Sequence, residues 1–196
     1  VLDPGPEQAD HFEALKKALE GETVTHVLVS HGHSDHSPLA QPLAAWAGCK
    51  TYAKNCGVPT AKGELGSADA LGFMPDVKGG DGDVISGPGW TIDVIETPGH
   101  TCNYLSFGLR EENICFSGDH IMGWSTTVIT PPDGDMTDYM ESLELVKARG
   151  YDVLWPTHGP PIREVTPFIE AYAAHRRARE AQVLKAVQDG YGKITE

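Results

Sequence analysis

The run His31-Gly32-His33-Ser34-Asp35-His36 decides how this chain is read. It follows Val24-Thr25-His26-Val27-Leu28-Val29-Ser30, a β-branched stretch that predicts a buried strand. In extended backbone, residues two apart aim to the same side. His31 and His33 can therefore bind one metal ion together, while Asp35 and His36 point elsewhere and can hold a second. Neutral imidazole suits zinc, iron, nickel and copper, and a carboxylate widens the choice.

Such ions need further ligands from distant parts of the chain, and three places offer them. They are Thr97-Pro98-Gly99-His100-Thr101, Ser117-Gly118-Asp119-His120 and Pro156-Thr157-His158-Gly159-Pro160. Each follows a predicted strand, so the side chains can converge at one end of a sheet. A lone histidine beside a turn is ordinarily a polar turn residue. That reading does not cover four such stretches in one chain. Of the nine histidines, His11, His26 and His175 fall inside predicted helices or a strand and read as structural.

The remaining elements alternate. Residues 7–20 predict an amphipathic helix, with Phe12, Leu15 and Leu19 on one face. Ser37 is placed to cap a second helix, with Pro38 at its first position and Gly48 at its end. Strands are expected at 50–53, 83–85, 90–96, 104–109, 113–117 and 152–155, and helices at 136–149 and 164–189. Residues 55–82 are rich in Gly, Pro, Lys and Asp and read as a loop. The order describes an α/β or α+β layered domain without internal repeats.

The 196 residues fit one domain with a real core. A net charge of −13, from 28 acidic and 15 basic residues, works against non-specific binding to nucleic acid or an anionic membrane. Arg176, Arg177 and Arg179 form the one basic cluster and read as a solvated helix face. No apolar run approaches the ~20 residues that span a bilayer. The four cysteines form no CxxC pair, so a reducing cytoplasm is the default expectation, with Cys102 a packing residue.

Taken together, His-x-His-x-Asp-His, Pro-Gly-His-Thr, Gly-Asp and a late His-Gly resemble the metallo-β-lactamase superfamily over residues 26–162. The resemblance implies an α+β fold, the αββα sandwich, and a metal-dependent hydrolase with two divalent ions, zinc foremost. His31, His33 and His100 would hold the first ion, Asp35, His36 and His158 the second, and Asp119 would bridge them opposite a water or hydroxide. Two metals roughly 3.5–4 Å apart lower the pKa of bound water toward ~7 and polarise a carbonyl or phosphoryl oxygen. The nucleophile would then attack an ester, thioester, lactone or phosphodiester, with Asp35 receiving a proton. His120 is a candidate to protonate a leaving group, or else bonds within its loop. Ser125, Thr126 and Thr127 either touch substrate or form a strand.

Departures from relatives narrow this. True β-lactamases with a similar run lack the bridging aspartate, so Asp119 argues against antibiotic hydrolysis as the main activity. Di-iron flavoproteins of this fold carry Glu where His33 stands, so His33 favours hydrolysis over oxygen reduction. The stretches 118–128, 131–136 and 139–143, with His158-Gly159-Pro160-Pro161-Ile162 and the helix at 172–179, resemble the β-lactamase-like group that includes a mitochondrial endoribonuclease.

That group adds a winged-helix-like C-terminal domain. Residues 1–191 are accordingly expected to be an N-terminally incomplete domain lacking its first strands, and 192–196 the start of a missing domain or tail. Val1–Pro6 resembles the end of the early strands, with Asp3 beneath the metals as an orienting residue. An exposed sheet edge would invite pairing into a homo-oligomer. A small-molecule ester is the first partner expected, RNA the second, and a membrane none. Two other readings use the same residues: a mononuclear iron enzyme resembling the persulfide dioxygenases, built on His31, His33 or His100 with Asp119, and a non-catalytic metal-binding remnant.

Overall fold

The computed structural model describes residues 1–54 and 73–192. Strand β1 (His26–Leu28) leads through the histidine run into helix α2 (Ala40–Ala47) and back to β2 (Lys50–Ala53), parallel to β1. Helix α1 (Ala9–Ala18) precedes this unit. A two-residue strand β3 (Val77–Lys78) joins β2 in parallel, inside the stretch read as loop. Two exposed residues carry no periodicity by which a strand could be recognised. The part of that predicted loop at 55–72 lies outside the described residues, as does Cys56. On the other side of β1, Leu2 bridges in parallel to Leu28, and Asp3 N–H donates to Leu28 C=O at 2.9 Å.

Helix α2 ends at Gly48, whose φ of 70° suits a residue without Cβ. Its start differs from expectation. Leu39 is the N-cap, and Ser37 Oγ instead donates to Gly32 C=O at 3.0 Å. The serine thus fastens the histidine loop to the base of the helix. Leu43 and Ala44 pack with Val27, Val29 and Ala53, and Phe12 and Leu19 join them, so α1 and α2 cover one face of this sheet.

The second sheet has the order β4-β5-β6-β7-β8. Its strands are β4 (Val84–Gly87), β5 (Trp90–Glu96), β6 (Leu105–Leu109), β7 (Ile114–Gly118) and β8 (Val153–Pro156). Leu28 and Tyr52 of the first sheet pack with Ile85, Ile92, Val94, Leu105 and Phe107 of the second, which forms the core between the sheets. Helices α3 (Met136–Arg149) and α4 (Val165–Gln188) cover the outer face through Leu143, Val146, Ile169 and Tyr172 over Cys115 and Leu154. Asp135 caps α3 by accepting from Thr137 N–H (2.7 Å) and Asp138 N–H (3.0 Å). Such a cap is worth ~1 kcal/mol. The layers run helix, sheet, sheet, helix, an α+β sandwich as expected.

Strand direction positions the site. β6 is antiparallel to β5 and to β7, and β8 is parallel to β7. β5, β7 and β8 therefore all end on the same side of the sheet, and His100, Asp119 and His158 follow those ends. Leu105 N–H donates to Ser30 C=O at 2.9 Å, which holds the end of β1 beside them. Among the described residues no helix is long and apolar enough to cross a membrane.

Candidate metal centre

The histidine run forms a tight turn, with the N–H groups of His36 and Ser37 both donating to His33 C=O at 3.1 Å. His31 and His36 are buried and His33 is half-buried, while Asp35 sits exposed at the turn. Beneath the turn lies Asp3, with φ 44° in the left-handed region. Its Oδ1 accepts from Ser30 N–H (2.7 Å), and its Oδ2 accepts from Ser30 Oγ (2.7 Å) and His36 Nδ1 (3.0 Å). Ser30 Oγ in turn accepts from His31 Nδ1 at 2.9 Å. Asp3 therefore occupies the Nδ1 side of His36 directly and that of His31 through the Ser30 hydroxyl, which leaves both Nε2 atoms facing the site.

Two groups of ligand-type atoms result. His31, His33 and His100 make the first, and Asp35, His36, Asp119 and His158 the second; within each group the atoms lie within 4.8 Å of one another. His33 Nδ1 lies 2.7 Å from His31 Nε2 and 3.1 Å from His100 Nε2. His100 Nδ1 donates to Val128 C=O at 2.7 Å, which fixes that ring too. In the second group, Asp35 Oδ2 lies 3.4 Å from His36 Nε2 and 3.1 Å from His158 Nε2. Asp119 faces both groups. Its Oδ2 is 3.4 Å from His36 Nε2 and 3.8 Å from His100 Nε2, and its Oδ1 is 3.4 Å from His158 Nε2.

Tetrahedral ligands at 2.0–2.1 Å from a zinc ion stand about 3.3 Å apart, which the 3.1–3.4 Å separations of the second group match, while the first group gathers three nitrogens of the right chemistry more tightly, at 2.7 and 3.1 Å. Two buried atoms support the fit. His36 Nε2 and Asp119 Oδ1 have no hydrogen-bond partner, a state that costs free energy unless a cation or proton satisfies it. Burial acts to lower the His36 pKa, but the Asp119, Asp3 and Asp35 carboxylates around it overcome this and raise it to about 12. His36 in turn holds the Asp35 carboxyl well below the ordinary carboxylate range. Burial, followed by the neighbouring histidines, holds His31 low. The second group thus attracts positive charge, and in the first group burial favours the neutral form of His31 and of His100.

The other expected site residues fare differently. His120 is fully buried, with its ring 5.1 Å from that of Tyr139 and its pKa pushed down to about 3 by burial. A neutral, enclosed imidazole is poorly placed to protonate a leaving group. Thr127 is also buried and donates to Asp119 C=O at 2.6 Å. Ser125 is exposed and Thr126 half-buried, and residues 125–127 form no strand. Cys102, expected to pack as a thiol, is disulfide-bonded, so cysteine usage no longer argues for a reducing compartment.

Several residues that matter here carry no local sequence signal. Tyr104 Oη accepts from Asp119 N–H (2.5 Å) and His120 N–H (3.2 Å) and donates to Ser117 C=O (3.1 Å). Gly118 makes room for it, since a Cβ there would lie 2.2 Å from that oxygen. Arg176, read as solvated, donates to Thr127 C=O and lies over the Tyr139 ring at 5.5 Å. Ser30, adjacent to His31, is the one whose position could have marked it. A cleft of about 660 Å³, lined by Leu28, Trp90, Ile92, Phe116 and Trp155 among others, contains none of the seven ligand-type residues.

The sandwich and the two ligand groups at its strand ends define a class. Residues 1–158 match the family model of the Metallo-beta-lactamase superfamily, and the chain belongs to that superfamily. It is 30% identical over 192 residues to the Beta-lactamase-like protein 2 homolog of Caenorhabditis elegans, covering 96% of this chain and 61% of that protein. An Atrochrysone carboxyl ACP thioesterase of Aspergillus fumigatus is also 30% identical, over 199 residues, covering 96% of this chain and 56% of its own. The chain thus spans less than two thirds of the length of these relatives. Among solved structures, a metallo-beta-lactamase family protein from Thermus thermophilus shares the fold with a TM-score of 0.78 at 22% identity, over 96% of this chain and 73% of that one.

Proposed function

We propose that this chain is a metal-dependent hydrolase with a dinuclear centre, zinc foremost, that cleaves an ester-type acyl bond, a thioester above all. The observation that carries the reading is Asp119, whose carboxylate reaches both groups: its oxygens lie 3.4 Å from His36 Nε2 and from His158 Nε2, and Oδ2 also lies 3.8 Å from His100 Nε2. The thioesterase name of a relative at 30% identity supports the choice of bond. A mononuclear iron site would leave one of the two groups without a role, and the convergence of all seven side chains disfavours a non-catalytic remnant.

In this reading His31, His33 and His100 hold one ion, Asp35, His36 and His158 the other, and Asp119 stands between them. Ions bound there would supply acidified water and polarisation of the substrate carbonyl. The chain does the rest. Asp3 and Ser30 fix the tautomers of His36 and His31, and the Val128 carbonyl fixes that of His100. Asp35, on a side chain half open to solvent, has a second carboxylate oxygen besides the one that faces His36 and His158, and that oxygen is the one to take a proton from the attacking water and return it to the leaving thiolate. The oxygen of water adds to the carbonyl carbon, the C–S bond breaks, and a carboxylic acid and a thiol leave.

The test is thiol release from acyl thioesters by the zinc-loaded chain, beside Asp119→Ala and chelator-treated protein. Release abolished in both supports the reading. Release that persists after metal removal, or none from any thioester or ester, contradicts it.

A further inference from the structure

The irregular segment 121–128 is held with unusual care. Tyr139 Oη donates to His120 C=O at 2.8 Å, Tyr172 Oη donates to Ser125 C=O and accepts from Met122 N–H at 3.2 Å, and Arg176 donates to Thr127 C=O. At its other face Gly123 N–H donates to His158 C=O at 2.8 Å. The two loops touch so closely that a Cβ on Gly159 would lie 2.8 Å from the Gly123 backbone and 2.9 Å from Trp124 N. Backbone pinned from both sides by buried polar groups is rigid backbone.

This segment presents two apolar side chains to solvent. Trp124 is 72% exposed and Val128 66% exposed. Each stands beside a ligand-type histidine. The Trp124 ring lies 6.1 Å from that of His158 at an interplanar angle of 11°, and the Val128 carbonyl accepts from His100. A large aromatic held on a rigid segment beside the ligand groups offers an indole face against which a flat ring can stack.

We infer that Trp124 is a specificity-determining residue, a platform at the rim of the metal centre that receives the flat aromatic acyl group of a thioester. The inference rests on the hydrolase reading above for the bond that is cleaved. A stacked nucleobase would use the same indole face, but the net charge of −13 opposes a polyphosphate backbone. With a flat ring against the indole and its carbonyl directed at the ligand groups, the acyl chain enters from the His158 side.

The test has two arms on the zinc-loaded chain, using the wild type, Trp124→Phe and Trp124→Ala. Binding of 2-naphthoate is followed calorimetrically, which needs no turnover. The second arm compares kcat/KM for naphthoyl and acetyl thioesters of N-acetylcysteamine. Stacking of this kind predicts roughly tenfold weaker naphthoate binding and a similar fall in the naphthoyl-to-acetyl ratio for Trp124→Ala, with Trp124→Phe between. Unchanged metal content and Tm show that the variants are folded. Naphthoate binding that is absent, or equal in all three proteins, overturns the inference, as does salt-sensitive binding of a short RNA in its place. Naphthoate binding that depends on Trp124 without any thioester turnover upholds the platform and overturns the hydrolase reading alone.

Discussion

Asp3 and His36 stand 33 positions apart in the chain, and Asp3 Oδ2 accepts from His36 Nδ1 at 3.0 Å. The same oxygen accepts from Ser30 Oγ at 2.7 Å, and that hydroxyl carries the contact on to His31. One carboxylate beside β1 therefore orients a histidine of each ligand group.

Removing it should loosen both groups at once. Asp3→Ala is expected to weaken zinc binding by roughly 10–100-fold, as for other residues that orient metal ligands. Competition against a chromogenic chelator measures this. Loss at one ion alone would show that the Ser30 link to His31 does nothing.

Tyr104→Phe should be costly although it removes a single oxygen. Asp119 N–H and His120 N–H would both lose their acceptor in a fully buried position. Unsatisfied buried donors cost ~1–3 kcal/mol, so urea denaturation should show a loss in that range. Zinc occupancy should fall as well, since Tyr104 sets the backbone of Asp119. A variant as stable as wild type would mean that the loop re-pairs elsewhere.

The metal-free chain should respond to alkali through His36. Its pKa is raised in the folded state to about 12, from an ordinary value near 6.5, so its contribution is fully present below ~6.5 and is lost as pH rises toward about 12. Between pH 7 and 9 the stability of chelator-treated protein should fall, by at most about 1.4 kcal/mol per pH unit, and His36→Gln should flatten the slope. Zinc binding at pH 7 should release a proton, visible as a calorimetric heat that varies with the buffer's ionisation enthalpy. A flat stability profile with no proton release would contradict the charge balance described here.

Much of this architecture is legible in the sequence because its signals are local. β-branched runs mark β1 and β5, and Gly48 marks the end of α2. The ligand-type residues declare themselves by following strand ends. What escapes is set by distant partners. Ser37 has the chemistry of a cap, yet Gly32 C=O claims its hydroxyl. Residues 125–127 read equally as a strand or as substrate contacts. Neither describes Thr127, because Arg176, from a helix 49 positions on, takes its carbonyl while its hydroxyl turns inward to Asp119. His120 looks like an acid in a list of residues and is enclosed beside Tyr139 in the fold.

The central claim is that two ions share Asp119, and elemental analysis of the purified chain with equilibrium dialysis tests it most directly. The prediction is two zinc ions per wild-type chain, with Asp119→Ala losing at least one and His33→Ala retaining one. A single ion per wild-type chain, or a single iron with oxygen uptake, would contradict it.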